Sequence, residues 1–319
     1  MSSRRQVLAC NLCFILVASL AMWWRCSSGF PTTRAPPELS RWADRSSQVF
    51  GVLVAASPRV SSHTLHHAAA VLAEFLDQDQ NGIADVPEVI EELEKHRAMI
   101  LLVADQNEYL AGAGAVEGKG SIMKNDNPAW NCSVRDVFVF SELFETETNF
   151  QGEREDAAWE ELLHLITHVG YGCAFPERWG FRADARHPRA FPPQETPSSE
   201  LSRALDNALG SCLPSYTGRQ GSKQADCRYF YEDPTCFYPC LANEYLFQVW
   251  RTRQGGRVCT EDLQHEHSLC TQELLEEQDA QGFRLAGLLP QVLPRGRYRA
   301  SHNVWGDFDL ICDAPSFDW

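Results

Sequence analysis

The chain has 319 residues, 44% of them hydrophobic and nine of them tryptophan, enough for one large packed domain or two ordinary ones. Its 43 acidic side chains against 28 basic ones leave a net charge of −15. That balance repels a phosphate backbone and argues against nucleic-acid binding.

Arg4 and Arg5 precede an uncharged run from Gln6 to Trp24, which Arg25 closes. A secretory hydrophobic core is about 7–15 residues long and a spanning helix about 17–25. Residues 1–26 therefore read as a signal peptide or as a single-pass signal-anchor, with Trp23 and Trp24 suited to a membrane interface. Either way the remainder is sent into the secretory pathway, to become extracellular or the lumenal part of a membrane protein. Residues 27–48, with PTTRAPPELSRW, read as a polar, proline-bearing stalk.

Cysteine usage agrees with that route. Of 12 cysteines, Cys212, Cys227, Cys236, Cys240 and Cys259 fall close together, a density typical of disulfide-bonded secreted domains. Pairing is not legible from the sequence. Asn131-Cys132-Ser133 is a glycosylation sequon.

Residues 49–100 read as a helical segment. Val60, Leu65, Ala68, Ala69, Leu72, Phe75 and Leu76 follow helical spacing, and a second helix is expected from Val86 to about His96. Between them lies DQDQNGIADVPE, residues 77–88. Asp77, Asp79, Asn81, Asp85 and Glu88 occupy the oxygen-donor positions of an EF-hand, Ile83 offers its carbonyl, and Gly82 permits the turn. The expectation is a structural calcium site. Ala84 and Pro87 depart from the pattern, and there is no second such loop. The rival reading is an acidic turn capping the next helix.

Residues 101–319 read as the second unit. AMILLVA, 98–104, and VRDVFVF, 134–140, are short strand-like runs. A helix from about 155 to 169, a proline-rich loop from 171 to 198, and helices at 199–209, 240–252 and 271–278 follow. The fold class is α+β, with short strands before a central helix, a helical C-terminal part and disulfide bonds.

The central helix carries WEELLHLITHVGYG, 159–172. At about 100° per residue, Glu160, Glu161, His164 and His168 fall on one stripe about 100° wide. Two imidazoles four apart can bind one zinc ion. The same spacing also gives ordinary helix-stabilising Glu–His pairs. HExxH would need glutamate at 165, where Leu165 stands. The base for a metal-dependent hydrolysis is then Glu161 or Glu160. His63 and His67 form a rival metal pair, and Tyr171, Tyr231 and His187 are candidates to stabilise an oxyanion.

Downstream, CLANEYLFQVW, 240–250, places Asn243 and Glu244 on a helix. With WEELLHLITHVGYG, this stretch resembles the gluzincin branch of the zincin-like metallohydrolases over residues 95–252. The resemblance implies a zincin-like fold and a zinc-dependent hydrolase, of the peptidase class, acting on a peptide or protein. By it His164, His168 and Glu244 would be the zinc ligands. Gln248 replaces the family's aspartate, and Leu165 its water-activating glutamate. WEELLHLITHVGY and YEDPTCFYPCLANEY are also similar to a family of secreted eukaryotic proteins, to which no activity is attached. The alternative is a non-catalytic, calcium-binding extracellular or structural protein with an inert metal site.

Overall fold

The computed structural model describes residues 30–112, 122–125, 131–148, 156–180, 199–212, 227–231, 236, 238–256 and 267–298. The apolar N-terminal run, His187 and Cys259 lie outside the described residues. No helix among the described residues is long and apolar enough to cross a membrane.

The fold is mixed α/β, about half helical, around a six-stranded sheet. The strands are β1 (Thr33–Arg34), β2 (Arg45–Val49), β3 (Val52–Ala56), β4 (Met99–Val103), β5 (Ile122–Lys124) and β6 (Phe138–Phe144). Their spatial order is β1-β2-β3-β4-β6-β5. β1, β2 and β3 run antiparallel, whereas β3, β4, β6 and β5 are parallel to one another. All six precede the central helix.

β4 explains why AMILLVA is apolar throughout. Ile100 and Leu102 enter the main core, and Met99, Leu101 and Val103 enter a second core on the opposite face. A strand covered on both faces reads as a continuous hydrophobic run. β2 and β3 turn at Phe50 and Gly51, both at positive φ. Gly51 approaches Glu94 so closely that a Cβ there would lie 2.0 Å from Oε1.

The stalk expected at 27–48 differs from what is found. From residue 30 it supplies β1, a 3₁₀ turn at Pro37–Leu39 and β2, and Phe30, Leu39 and Ala43 are buried. Pro36 and Pro37 start the 3₁₀ turn rather than keep the chain extended. The expected boundary near residue 100 also falls inside the sheet, because β3 pairs with β4 and β4 with β6.

The helices are α1 (Ser62–Leu76), α2 (Pro87–Lys95), α3 (Gln106–Ala111), α4 (Ala157–Leu165), α5 (Glu200–Leu209), α6 (Tyr238–Arg253), α7 (Gln272–Gln278) and α8 (Ala280–Ala286). Short helical turns also occur at Gly172–Ala174 and Pro176–Trp179. Ser61 caps α1, Asp156 α4, Ser199 α5 and Asp279 α8, each accepting a backbone N–H. α4 packs on β6 and against α6, which brings two distant segments of sequence to one site. Disulfides join Cys132 to Cys173, Cys212 to Cys227 and Cys236 to Cys240.

Candidate metal centre

α4 is helical only as far as Leu165; from Ile166 to Tyr171 the chain is a π-helix. Gly172 N–H reaches back five residues to Thr167 O. Thr167 Oγ1 donates to Leu163 O at 2.7 Å, the carbonyl that an α-helical N–H of Thr167 would use. Gly170 allows the π turn to lie against α2: a Cβ there would meet Val89 Cγ1 at 2.6 Å. The 100° accounting therefore holds for Glu160, Glu161 and His164 and ends before His168.

Glu160, His164 and Glu244 each offer one ligand atom within 4.8 Å of the other two. His164 Nε2 stands 3.9 Å from Glu244 Oε2. That nitrogen is buried and has no hydrogen-bond partner among the described residues. A buried, unbonded imidazole nitrogen beside a carboxylate is costly unless something binds between them. One imidazole and two carboxylates are a donor set that zinc accepts. The residues present thus fit a metal ion.

His168 stands outside that trio. It is buried, and its Nδ1 lies 3.0 Å from Asn243 Nδ2. Burial and the neighbouring His164 push its pKa down to about 3. Burial and the Lys124 ammonium likewise lower His164 to about 3, with a contact to the Asn243 backbone opposing them. Both imidazoles are thereby neutral at physiological pH, the form that ligates metals. Phe247 walls the site, its ring edge-on to His164 at 6.0 Å.

Glu161 lies on the other side of His164, its Oε2 3.9 Å from Nδ1. It accepts a 2.6 Å hydrogen bond from Ser141 Oγ. Ser141 shares the face of β6 that also presents Val139 and Leu143 to the main core. Burial and the carboxylates of Glu142 and Glu160 hold the Glu161 carboxyl well above the usual range, against Lys124 and the Ser141 bond. Lys124 on β5 pairs with Glu142 on β6 at 2.7 Å. Ser141, Glu142 and Lys124 were not among the residues expected from the sequence. They reach the site through strand pairing, and no local spacing signals that.

Gln248, in the place of the family's aspartate, accepts from Arg251 Nη2 at 2.9 Å. Tyr171 packs on Phe175 and Trp179, and burial pushes its hydroxyl up to about 12. Tyr231 is packed at the edge of the main core. His63 is exposed, whereas His67 is buried with Nε2 2.6 Å from Asp156 Oδ2, so Asp156 already engages one imidazole of the rival pair.

In the acidic loop, Asp77, Asp79 and Asp85 each bring an oxygen within 4.8 Å of the others. Gly82 and Gln80 take positive φ, and the Gly82 N–H donates to Asp77 Oδ2 at 2.7 Å. Asn81 Nδ2 donates to Asp79 Oδ2, and Asn81 Oδ1 accepts from the Ile83 N–H. Tyr298 also donates its hydroxyl to Asp77. Glu88, in the first turn of α2, is exposed and stands outside the trio, and the Ile83 side chain points to solvent.

No family model, curated protein or solved structure matches this chain.

Proposed function

We propose that the chain is a zinc-dependent hydrolase of the secretory pathway, extracellular or membrane-anchored, with a zincin-like ancestry and a peptide or protein substrate. The observation that carries this reading is the grouping of Glu160, His164 and Glu244, with Glu244 3.9 Å from the unbonded Nε2 of buried His164. Zinc held there by His164, Glu160 and Glu244 would supply Lewis acidity and an acidified water.

The chain's own residues supply the remainder. Glu161, set on the Nδ1 side of His164 with its carboxyl held above the usual range by burial and by Glu142 and Glu160, is the residue assigned to give and recover a proton. Ser141 fixes its orientation. Asn243, next to Glu244 on α6, holds the buried His168 imidazole in place. Phe247 and the surrounding apolar core limit water to the site, which strengthens the electrostatics within it.

Metal analysis of the purified chain tests the reading. One zinc per chain is expected, lost in His164→Ala and in Glu244→Ala. A folded, zinc-free wild type would sink it. Glu161→Gln is expected to keep zinc and lose hydrolysis of a peptide library by about 10²–10⁴-fold.

A second reading rests on the acidic loop: a calcium-stabilised extracellular protein with an inert centre. Three aspartate oxygens and a Gly82 turn support calcium there. Calcium is expected to raise the melting temperature, and Asp77→Ala to abolish that rise. Zinc without any hydrolysis, together with this calcium response, would favour the second reading.

A further inference from the structure

α2 ends beside the segment that follows the π turn, far in sequence but in contact. Glu92 on its last full turn and His96, its C-cap, are four residues apart and share a face. His96 Nε2 lies 3.3 Å from Glu92 Oε2. Cys173, in the turn Gly172–Ala174, completes the group: one atom from each of Glu92, His96 and Cys173 lies within 4.8 Å of the others. His96 is fully covered, whereas Cys173 is half-buried and bonded to Cys132, which is exposed.

We propose that Glu92, His96 and Cys173 form a second metal site, for zinc, that the Cys132–Cys173 disulfide keeps closed and that reduction opens. It shares no residue with the centre on α4 and α6. In the oxidised chain the Cys173 sulfur is committed to Cys132 and cannot ligate as a thiolate.

Cys132 is the more exposed residue of the pair, and its sulfur is the one we assign to attack by a small thiolate. Attack there forms a new S–S bond to Cys132 and breaks the bond to Cys173, whose sulfur leaves with the electron pair. A second thiolate then releases Cys132, so that two external thiols become one disulfide while the protein gains two thiols. The thiolate left on Cys173 already faces the imidazole and the carboxylate, and zinc takes the place of its proton. Thiolate, imidazole and carboxylate are all zinc ligands, and three of them leave a fourth position for water. The same three residues are poorly matched to calcium or magnesium, which require oxygen donors.

Cys132→Ser tests the site without any reductant, since serine cannot bridge and Cys173 is left as a thiol. The full chain is used in a His164→Ala background, so that the α4 centre contributes no zinc. After equilibration with zinc and desalting, about one more zinc per chain is expected in Cys132→Ser than in its parent. Adding His96→Asn or Glu92→Gln is expected to remove it. A folded Cys132→Ser chain with no gain, or a gain that His96→Asn leaves unchanged, overturns the proposal. If Cys132→Ser does not fold, the native His164→Ala chain is reduced with a water-soluble phosphine, itself oxidised to its oxide, and then given cobalt(II). A thiolate-to-cobalt absorption band that needs both reduction and His96 supports the site. A band absent after complete reduction, or independent of His96, overturns it.

Discussion

Glu145, just past the end of β6, accepts from the backbone N–H of Ser61 at 3.0 Å and from the Thr64 hydroxyl at 2.5 Å. Burial opposes its ionisation, but the Ser61 and Thr64 donors outweigh burial and hold the carboxyl below its ordinary value of 4.5. The native state therefore binds fewer protons there than the unfolded chain. Its stabilisation is whole above pH 4.5 and is lost as the pH falls through the lower folded value. Glu145→Gln is expected to flatten the acid limb of a stability–pH curve measured by urea unfolding, and an unchanged limb would refute the assignment. At this scale much of the candidate site was legible. Glu160, Glu161 and His164 sit within one regular helix, so spacing alone put them on one face. The partners that set their chemistry, Ser141, Glu142 and Lys124, were not legible, because they arrive from strands through pairing.

Among the elements, α4 and the π-helix after it mark where helical arithmetic stops applying. His168 was placed on the histidine face by a 100° step that the chain does not keep past Leu165. It faces Asn243 instead of completing the trio. The close approach of Gly170 to Val89 and Leu93 couples this stretch to α2. Gly170→Val is expected to destabilise the fold by about 1–3 kcal/mol through overpacking, read from the denaturant midpoint. A shift well below that would mean that α2 yields at no cost. The acidic loop lies between two helices as expected, and its twelfth position, Glu88 in the first turn of α2, is exposed. Glu92 and His96 carry a legible i, i+4 spacing, whereas their partner Cys173 becomes visible only when α2 packs on the far side of the π turn.

Across the whole molecule, the segment 290–298 straps the helical layer together. Trp250 Nε1 donates to Pro290 O and Trp159 Nε1 to Pro294 O, each at 3.0 Å or less. The buried Glu74 carboxylate accepts the N–H groups of Arg295, Gly296 and Arg297, and Tyr298 donates to Asp77. Gly296 is at positive φ and presses on His67, where a Cβ would lie 2.3 Å from Nδ1. Glu74→Ala leaves those donors unpaired and is expected to cost about 1–3 kcal/mol, with faster amide exchange at 295–297. Unchanged exchange there would show that the strap is held by its tryptophans alone. By itself the sequence determined that helices and strands mix, the position of most helices, the strand at AMILLVA and the stripe of Glu160, Glu161 and His164 on α4, because these depend on local periodicity. Only the tertiary structure decided that residues 30–48 join the sheet, that Ser141, Glu142 and Lys124 surround Glu161, and which cysteines pair. Those outcomes depend on strand pairing and side-chain packing, which leave no periodic trace in the sequence.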